Sequence, residues 1–410
     1  MSSRSRLPLV LPLLLGALLL GSCSPRLRAP RLSYRELPSR FGDPAYDSLG
    51  VSAAAAGRLG GLLFFAGGAN FPERPAAEGG AKRLYSQAFL GELHGTELRW
   101  HPTTALPRPL AYGLSLQTAD TLFLLGGQSP EGPRREVYAL SLEGGEVRYR
   151  ELPPLPFTLD NAAGAASGSY LYVVGGNQDG RPSRAVWRYD RSAPERGWQR
   201  FADLPDPEGY VQPVATMQGD TLWVGGGFTP GSPTRPARVQ QGLYRLITSH
   251  PELGWRGYYR SVPANEHSGG LLFPWGGVLV GAGGVDREVF SAALERIRLL
   301  ALPSSGLSPE ERARIEAEQA GYLRHPKEWY RFEPALSFFD PKRGRWLPSR
   351  VSDERFARAG ATLLVYSPQC VLLMQGEQMP GVRTPQIICL EAKPCLGKDE
   401  HQAFATLHLK

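Results

Sequence analysis

Glu377 and Arg383 stand six residues apart in Gly376-Glu377-Gln378-Met379-Pro380-Gly381-Val382-Arg383-Thr384-Pro385. Pro380-Gly381 suits the two central positions of a type II turn, where the glycine takes φ > 0. Such a turn folds the segment back and lets both side chains face one mouth. A carboxylate placed there can take and return a proton, and a guanidinium can grip an anionic group with two parallel hydrogen bonds. The pair therefore suits proton transfer on an anionic substrate. A surface ion pair is the plain alternative.

The elements that must hold this pair form a repeat. Apolar runs lead into glycines at 62–68, 122–127, 171–176, 222–226, 278–284 and 371–376. Five end in Gly-Gly; the sixth reads Met374-Gln375-Gly376-Glu377, as though a carboxylate replaced the second glycine. After each come a polar loop, a strand with an aromatic, and a Leu-Pro or Val-Pro, as in Val186-Trp187-Arg188-Tyr189-Asp190, Trp198 and Leu204-Pro205. A spacing near fifty residues is that of kelch units, each one four-stranded propeller blade. The last unit lacks its outer strand. Tyr34-Arg35-Glu36-Leu37-Pro38 repeats Tyr149-Arg150-Glu151-Leu152-Pro153 letter for letter, so residues 32–38 are expected to supply it and remove an open sheet edge. The expected fold is all-β: a six-bladed kelch-type β-propeller over 32–395, closed by an N-terminal strand.

In this architecture two sets of loops share one rim. The first carries Tyr112, Asn161, Tyr210, His267 and Arg358; the second begins Asn70, Gln128, Asn177, Phe228, Asp286 and Glu377. Asn70, Tyr112, Asn161, Tyr210 and His267 are the candidate substrate-binding residues, gathered on loops of a rigid scaffold. The fifth Gly-Gly unit carries an insertion at about 287–332. Ser308-Pro309-Glu310-Glu311 reads as a capping box with proline at the first helical position, opening a helix to about Ala320. The insert is either a lid or wall over the channel mouth, or a helical decoration of one blade.

Composition bounds the rest. Hydrophobic residues make up 42% of the 410, and 48 Gly with 37 Pro suit a turn-rich β protein. The net charge of +7 comes from dispersed residues without a basic run, which argues against a nucleic-acid partner. Residues 1–22 read as a lipoprotein-type signal peptide, with Arg4 and Arg6 before an apolar stretch too short for a comfortable span. Leu20-Gly21-Ser22-Cys23 resembles a bacterial lipoprotein cleavage box, which makes Cys23 the lipid-bearing residue and the lipid the only membrane attachment. Ser24 resembles outer-membrane sorting in a double-membraned bacterium, so periplasm or outer membrane is the expected location. Residues 23–31 read as a linker and 396–410 as a tail. Cys370, Cys389 and Cys395 lack CxxC spacing and a histidine partner, so no metal site is expected. Cys370 and Cys389 fall on neighbouring strands, as a disulfide or as buried thiols.

The Gly-Glu-x-x-Pro-Gly-Val-Arg-Thr stretch resembles the core motif of the kelch-type sialic acid mutarotases (N-acetylneuraminate epimerases). Ala66-Gly67-Gly68-Ala69-Asn70-Phe71-Pro72, Ala111-Tyr112-Gly113, Gly283-Gly284-Val285 and Leu336-Ser337-Phe338-Phe339-Asp340-Pro341 resemble that family too. Here the Glu/Arg motif lies in the last unit, which looks like the cyclically permuted branch. The resemblance implies an exported, cofactor-independent isomerase that interconverts the α and β anomers of N-acetylneuraminate or a related sugar acid. It also implies Glu377 as the acid/base and Arg383 as its partner. A non-enzymatic carbohydrate- or protein-binding kelch module is the alternative. Sialidase Asp-boxes and a copper-oxidase ligand set are not found in the sequence.

Overall fold

The computed structural model describes residues 32–119, 121–260, 267–303 and 306–392. The protein is mostly β. Six sheets among the described residues hold four or five strands, and four small ones hold two or three. Five of the large sheets are built on a chain-ordered antiparallel meander, such as Ala163–Ser167, Tyr170–Val174, Ala185–Asp190 and Trp198–Asp203. Ser39–Arg40 adds a short parallel strand to the outer edge of the first. The sixth departs from chain order. Its strands Thr362–Ser367, Cys370–Met374 and Ile387–Ala392 are completed by Leu32–Leu37, with Leu32 opposite Ala392 and Leu37 opposite Ile387. The repeated Tyr-Arg-Glu-Leu-Pro thus marks equivalent outer strands in the second and sixth sheets.

The glycine-terminated runs are second strands, and they are apolar throughout because both their faces are covered. Side chains alternate along a strand. In Cys370–Met374, Leu372 and Met374 pack toward the first sheet with Phe65, Phe89 and Trp100. Val371 and Leu373 pack toward the fifth with Phe273, Val280 and Phe338. Similar clusters join first to second, second to third, third to fourth and fourth to fifth sheets. The core is therefore distributed as six wedges between neighbours. Each fully buried Leu, Val or Phe in a wedge contributes about 1.5–3 kcal/mol.

Main-chain hydrogen bonds close the same circle. At or just before the start of each first strand one N–H donates to its neighbour's carbonyl: Ala53 to Gly360 (2.8 Å), Tyr112 to Ala53 (3.0 Å) and Asn161 to Tyr112 (3.0 Å). Gln212 then donates to Asn161 (2.8 Å), Gly269 to Gln212 (3.2 Å) and Gly360 to Gly269 (2.7 Å). All six take φ between 51° and 68°. Four are not glycine, so the sequence accepts left-handed backbone, at about 1–2 kcal/mol each, to complete the belt.

The glycine pairs carry the next tier. The N–H of Gly68, Gly127, Gly176, Gly284 and Gly376 donates across to the carbonyl of Leu110, Leu159, Tyr210, Arg358 and Val51, at 2.7–3.0 Å. This corrects the reading of the odd repeat. Gly376 (φ 102°) is the second glycine of its pair, and Gln375 (φ 52°) replaces the first. Glu377 occupies the position just after the pair, where the other repeats carry Ala69, Gln128, Asn177, Phe228 and Val285.

Between Val278–Ala282 and Ser337–Asp340 the chain leaves the fifth sheet as helices α1 (Arg287–Ala301) and α2 (Pro309–Gly321). Asp286 caps α1 through the N–H groups of Glu288 and Val289. Ser308 and Glu311 form the reciprocal capping box of α2. Helix α1 escaped the sequence reading, which located only α2.

Candidate active site at the channel mouth

A channel of about 470 Å³ runs through the circle, lined by the first strand of every large sheet. Its mouth is the hydrogen-bonded belt, and the belt is lopsided. Tyr112, Asn161 and Gln212 supply polar side chains on one half; Ala53, Gly269 and Gly360 leave the other half bare. Glu377 sits beside the bare half without itself lining the channel: its N–H and C=O exchange hydrogen bonds with Ala359 (2.7 and 2.8 Å), next to Gly360.

The 377–383 segment is a hairpin. Glu377–Met379 pairs with Val382–Arg383, Glu377 lies opposite Arg383, and Gly381 at the turn has φ 84°. The expected turn thus brings the two side chains together. The Arg383 Nη2 donates to the Glu377 carboxylate, and its Nε contacts Ser52 Oγ and the Ala69 carbonyl at 3.2 Å each. Phe71 covers the guanidinium face at 4.7 Å. Arg383 is locked in place with its side chain 2% exposed, whereas that of Glu377 is 23% exposed and can meet a ligand. Of the three guanidinium nitrogens of Arg383, Nη1 has no hydrogen-bond partner among the described residues. The expected two-pronged grip on an anion is therefore corrected: two of the three nitrogens are already committed.

Burial pushes the Glu377 carboxyl above its usual range, against the pull of Arg383 first and Lys82 second. Lys82 comes from the loop before Arg83–Leu84 and donates to Tyr112 Oη at 3.0 Å, with its Nζ 5.0 Å from that ring's centre. Tyr322 stands near enough for the Glu377 charge to add to the burial that lifts its phenol to about 12. Through Tyr322, Tyr330 and Phe332 the insert packs on Met379 and Ala359. Among the described residues of 287–332, none lines the channel. The insert forms a wall beside the hairpin.

The remaining candidates separate into two tiers. Tyr112 and Asn161 lie on the belt and line the channel, as does Gln212, which the sequence reading missed. Tyr210, His267 and Arg358 lie two residues earlier in their loops and are buried off the channel. Tyr210 Oη accepts from the Asp206 N–H (3.3 Å) and sits between the third and fourth sheets. His267 spends both ring nitrogens, Nδ1 on the Gly283 carbonyl (2.7 Å) and Nε2 on Ser337 Oγ (2.5 Å); burial lowers its pKa to about 4. Arg358 donates to the carbonyls of Arg355, Gln375 and Gln386. Asn70 is likewise spent: Nδ2 donates to the Ala45 and Gly50 carbonyls, and Oδ1 accepts from Tyr85 Oη. These side chains hold the rim together.

Opposite Glu377 an amide cluster hangs on a buried carboxylate. Asp160 Oδ1 accepts from Asn161 and Asn177 (2.7 Å each), and its Oδ2 accepts from Gln128 (3.3 Å). Asn161 Oδ1 in turn accepts from Gln212 (3.0 Å). Such a wall suits the hydroxyl and amide groups of a sugar. Away from the mouth, Cys370 and Cys389 are free buried thiols with sulfurs 3.0 Å apart. With Glu391 they bring three ligand-type atoms within 4.8 Å, a grouping that cysteine spacing did not reveal. Glu391 also pairs with Arg35 (3.5 Å). Cys23 and Cys395 lie outside the described residues.

No family model matches the chain. N-acetylneuraminate epimerase of Yersinia enterocolitica is 33% identical over 91 residues, covering 20% of this chain and 22% of that protein. N-acetylneuraminate epimerase 1 of Escherichia coli O6:H1 is 35% identical over 109 residues, covering 25% and 27%. The chain resembles the N-acetylneuraminate epimerases. The matches span about a quarter of the length of these curated relatives. The solved structure of YjhT aligns at a TM-score of 0.55 and 12% identity, over 82% of this chain and 94% of that one, which supports the fold.

Proposed function

We propose that this protein is a cofactor-independent sialic acid mutarotase on a six-bladed kelch-type propeller, closed by residues 32–37 and bearing the 287–332 insert in its fifth blade. The circle of six sheets supports the architecture, and the epimerase relatives support the substrate. The observation that carries the activity is a reachable Glu377 carboxylate beside the channel, oriented by a buried Arg383. Burial raises its pKa above that of a free carboxyl, which makes it a better proton acceptor than an exposed carboxylate and suits a group that takes a proton and returns it.

The reaction asks little of the protein. Glu377 removes the proton from the anomeric hydroxyl as the C=O bond forms and the bond from the anomeric carbon to the ring oxygen breaks. The ring oxygen takes that proton from the Glu377 carboxyl, directly or through water. The open keto form turns about the adjacent bond and recloses on its other face. Protons and electron pairs balance without an oxidant. Proton NMR of α-N-acetylneuraminate freshly released by a sialidase tests this: the protein should speed conversion to the β anomer, and a rate equal to the spontaneous one would reject the activity for this sugar.

The second reading is a surface carbohydrate-binding module, favoured by the amide wall on Asp160. It predicts saturable binding without turnover. The N-terminal segment supports export with Cys23 as lipid anchor, testable by radiolabelled palmitate incorporation and its loss in Cys23→Ala.

A further inference from the structure

We propose that Lys82, seated on Tyr112, is the anion-binding residue of this site and selects substrates that carry a carboxylate. The inference rests on the mutarotase reading and adds to it a residue outside the Glu/Arg motif. Glu377 and Arg383 neutralise one another, so the hairpin alone offers no net charge to an anion. Arg383 is further tied to Ser52 and the Ala69 carbonyl, leaving it Nη1 alone. Lys82 adds one positive charge and makes the group net cationic. It has no carboxylate partner within ion-pair distance among the described residues, whereas its neighbour Arg83 is answered by Glu73 at 2.9 Å. What holds Lys82 is the Tyr112 hydroxyl and ring face. Tyr112 sits in left-handed backbone on the belt and lines the channel, so the ammonium is held against a residue of the channel wall. Its influence on the Glu377 carboxyl places it within electrostatic range of the acid/base. A sugar acid bridging Lys82 and Glu377 would present its anomeric carbon, next to its carboxylate, to the proton acceptor.

The test compares wild type, Lys82→Met and Lys82→Arg on N-acetylneuraminate and on its neutral methyl ester, by NMR mutarotation kinetics and by calorimetric binding. A charged contact of this kind corresponds to roughly a tenfold change in affinity or more. Lys82→Met should raise KM for the acid at least fivefold with kcat within twofold, Lys82→Arg should restore it, and the ester should respond equally to all three proteins. A shift below twofold on the acid, or an equal shift on acid and ester, overturns the assignment. Binding of the acid without turnover in wild type would sink the mutarotase reading alone, and Kd then replaces KM in the same comparison. Wild type that neither binds nor converts the acid overturns both.

Discussion

Gln375 offers a test in which two readings of the repeat predict opposite signs. As a departure from a Gly-Gly consensus in left-handed backbone (φ 52°), it is a strained position that glycine should relieve by about 1–2 kcal/mol. As a built feature it is a staple. It is fully buried, its Oε1 accepts from the Val51 N–H at 2.7 Å, and its Nε2 donates to the Tyr46 carbonyl at 3.0 Å. Tyr46 in turn reaches the Gly67 carbonyl at 2.9 Å, so Gln375 ties the segment behind the closing strand to the first and sixth sheets. Gln375→Gly would orphan one buried donor and one buried acceptor, at about 1–3 kcal/mol each. Less the strain relieved, the expected net loss centres on about 2–3 kcal/mol, or a fall in Tm of about 3–4 °C for a chain of this length. Calorimetry of wild type against Gln375→Gly measures it. A variant at least as stable as wild type would refute the staple.

Three further outcomes are expected. The neutral His267 ring has a folded pKa near 4, below its unfolded value, so its contribution is complete above about pH 6.5 and lost as pH falls toward 4. Urea midpoints should therefore reveal a component of about 1.4 kcal/mol per pH unit across that window, missing in His267→Asn; equal slopes would contradict it. Removing residues 32–37 uncovers the edge of Ile387–Ala392, and size-exclusion chromatography should find aggregate, whereas a monomer with wild-type Tm would count against closure by this strand. Gly376→Ala places a Cβ 2.9 Å from the Ala359 carbonyl oxygen at φ 102°. It should lower the yield of folded protein markedly, and a wild-type melting curve would oppose the tier assigned to this glycine.

Much of the architecture was legible because the physics is local and repeated. Apolar runs ending in glycine mark strands covered on both faces, and a five-residue identity between Tyr34 and Tyr149 revealed the closure. Phase was harder to read. Tyr210 and His267 were aligned with Tyr112 and Asn161, yet they stand two residues earlier, and a step of two retains strand alternation while moving a side chain from channel to interior. Backbone sign would not have separated them either, since Tyr112, Asn161 and Gln212 on the belt take positive φ and so does His267 off it (56°). Glu377 and Arg383 were readable because Pro380-Gly381 dictates a turn that joins them. Lys82 was not, since nothing local links it to Tyr112 thirty residues on. Nor was α1, whose apolar stripe lay beyond a single Asp286 cap.

The central claim is that Glu377 moves a proton at this mouth. The direct measurement is the rate of α-to-β conversion of N-acetylneuraminate by proton NMR for wild type and Glu377→Gln, with Tm recorded on both. Wild type should exceed the spontaneous rate, and the variant should fall by about 10²–10⁴-fold while remaining folded. A folded Glu377→Gln that converts the sugar at the wild-type rate would contradict the account.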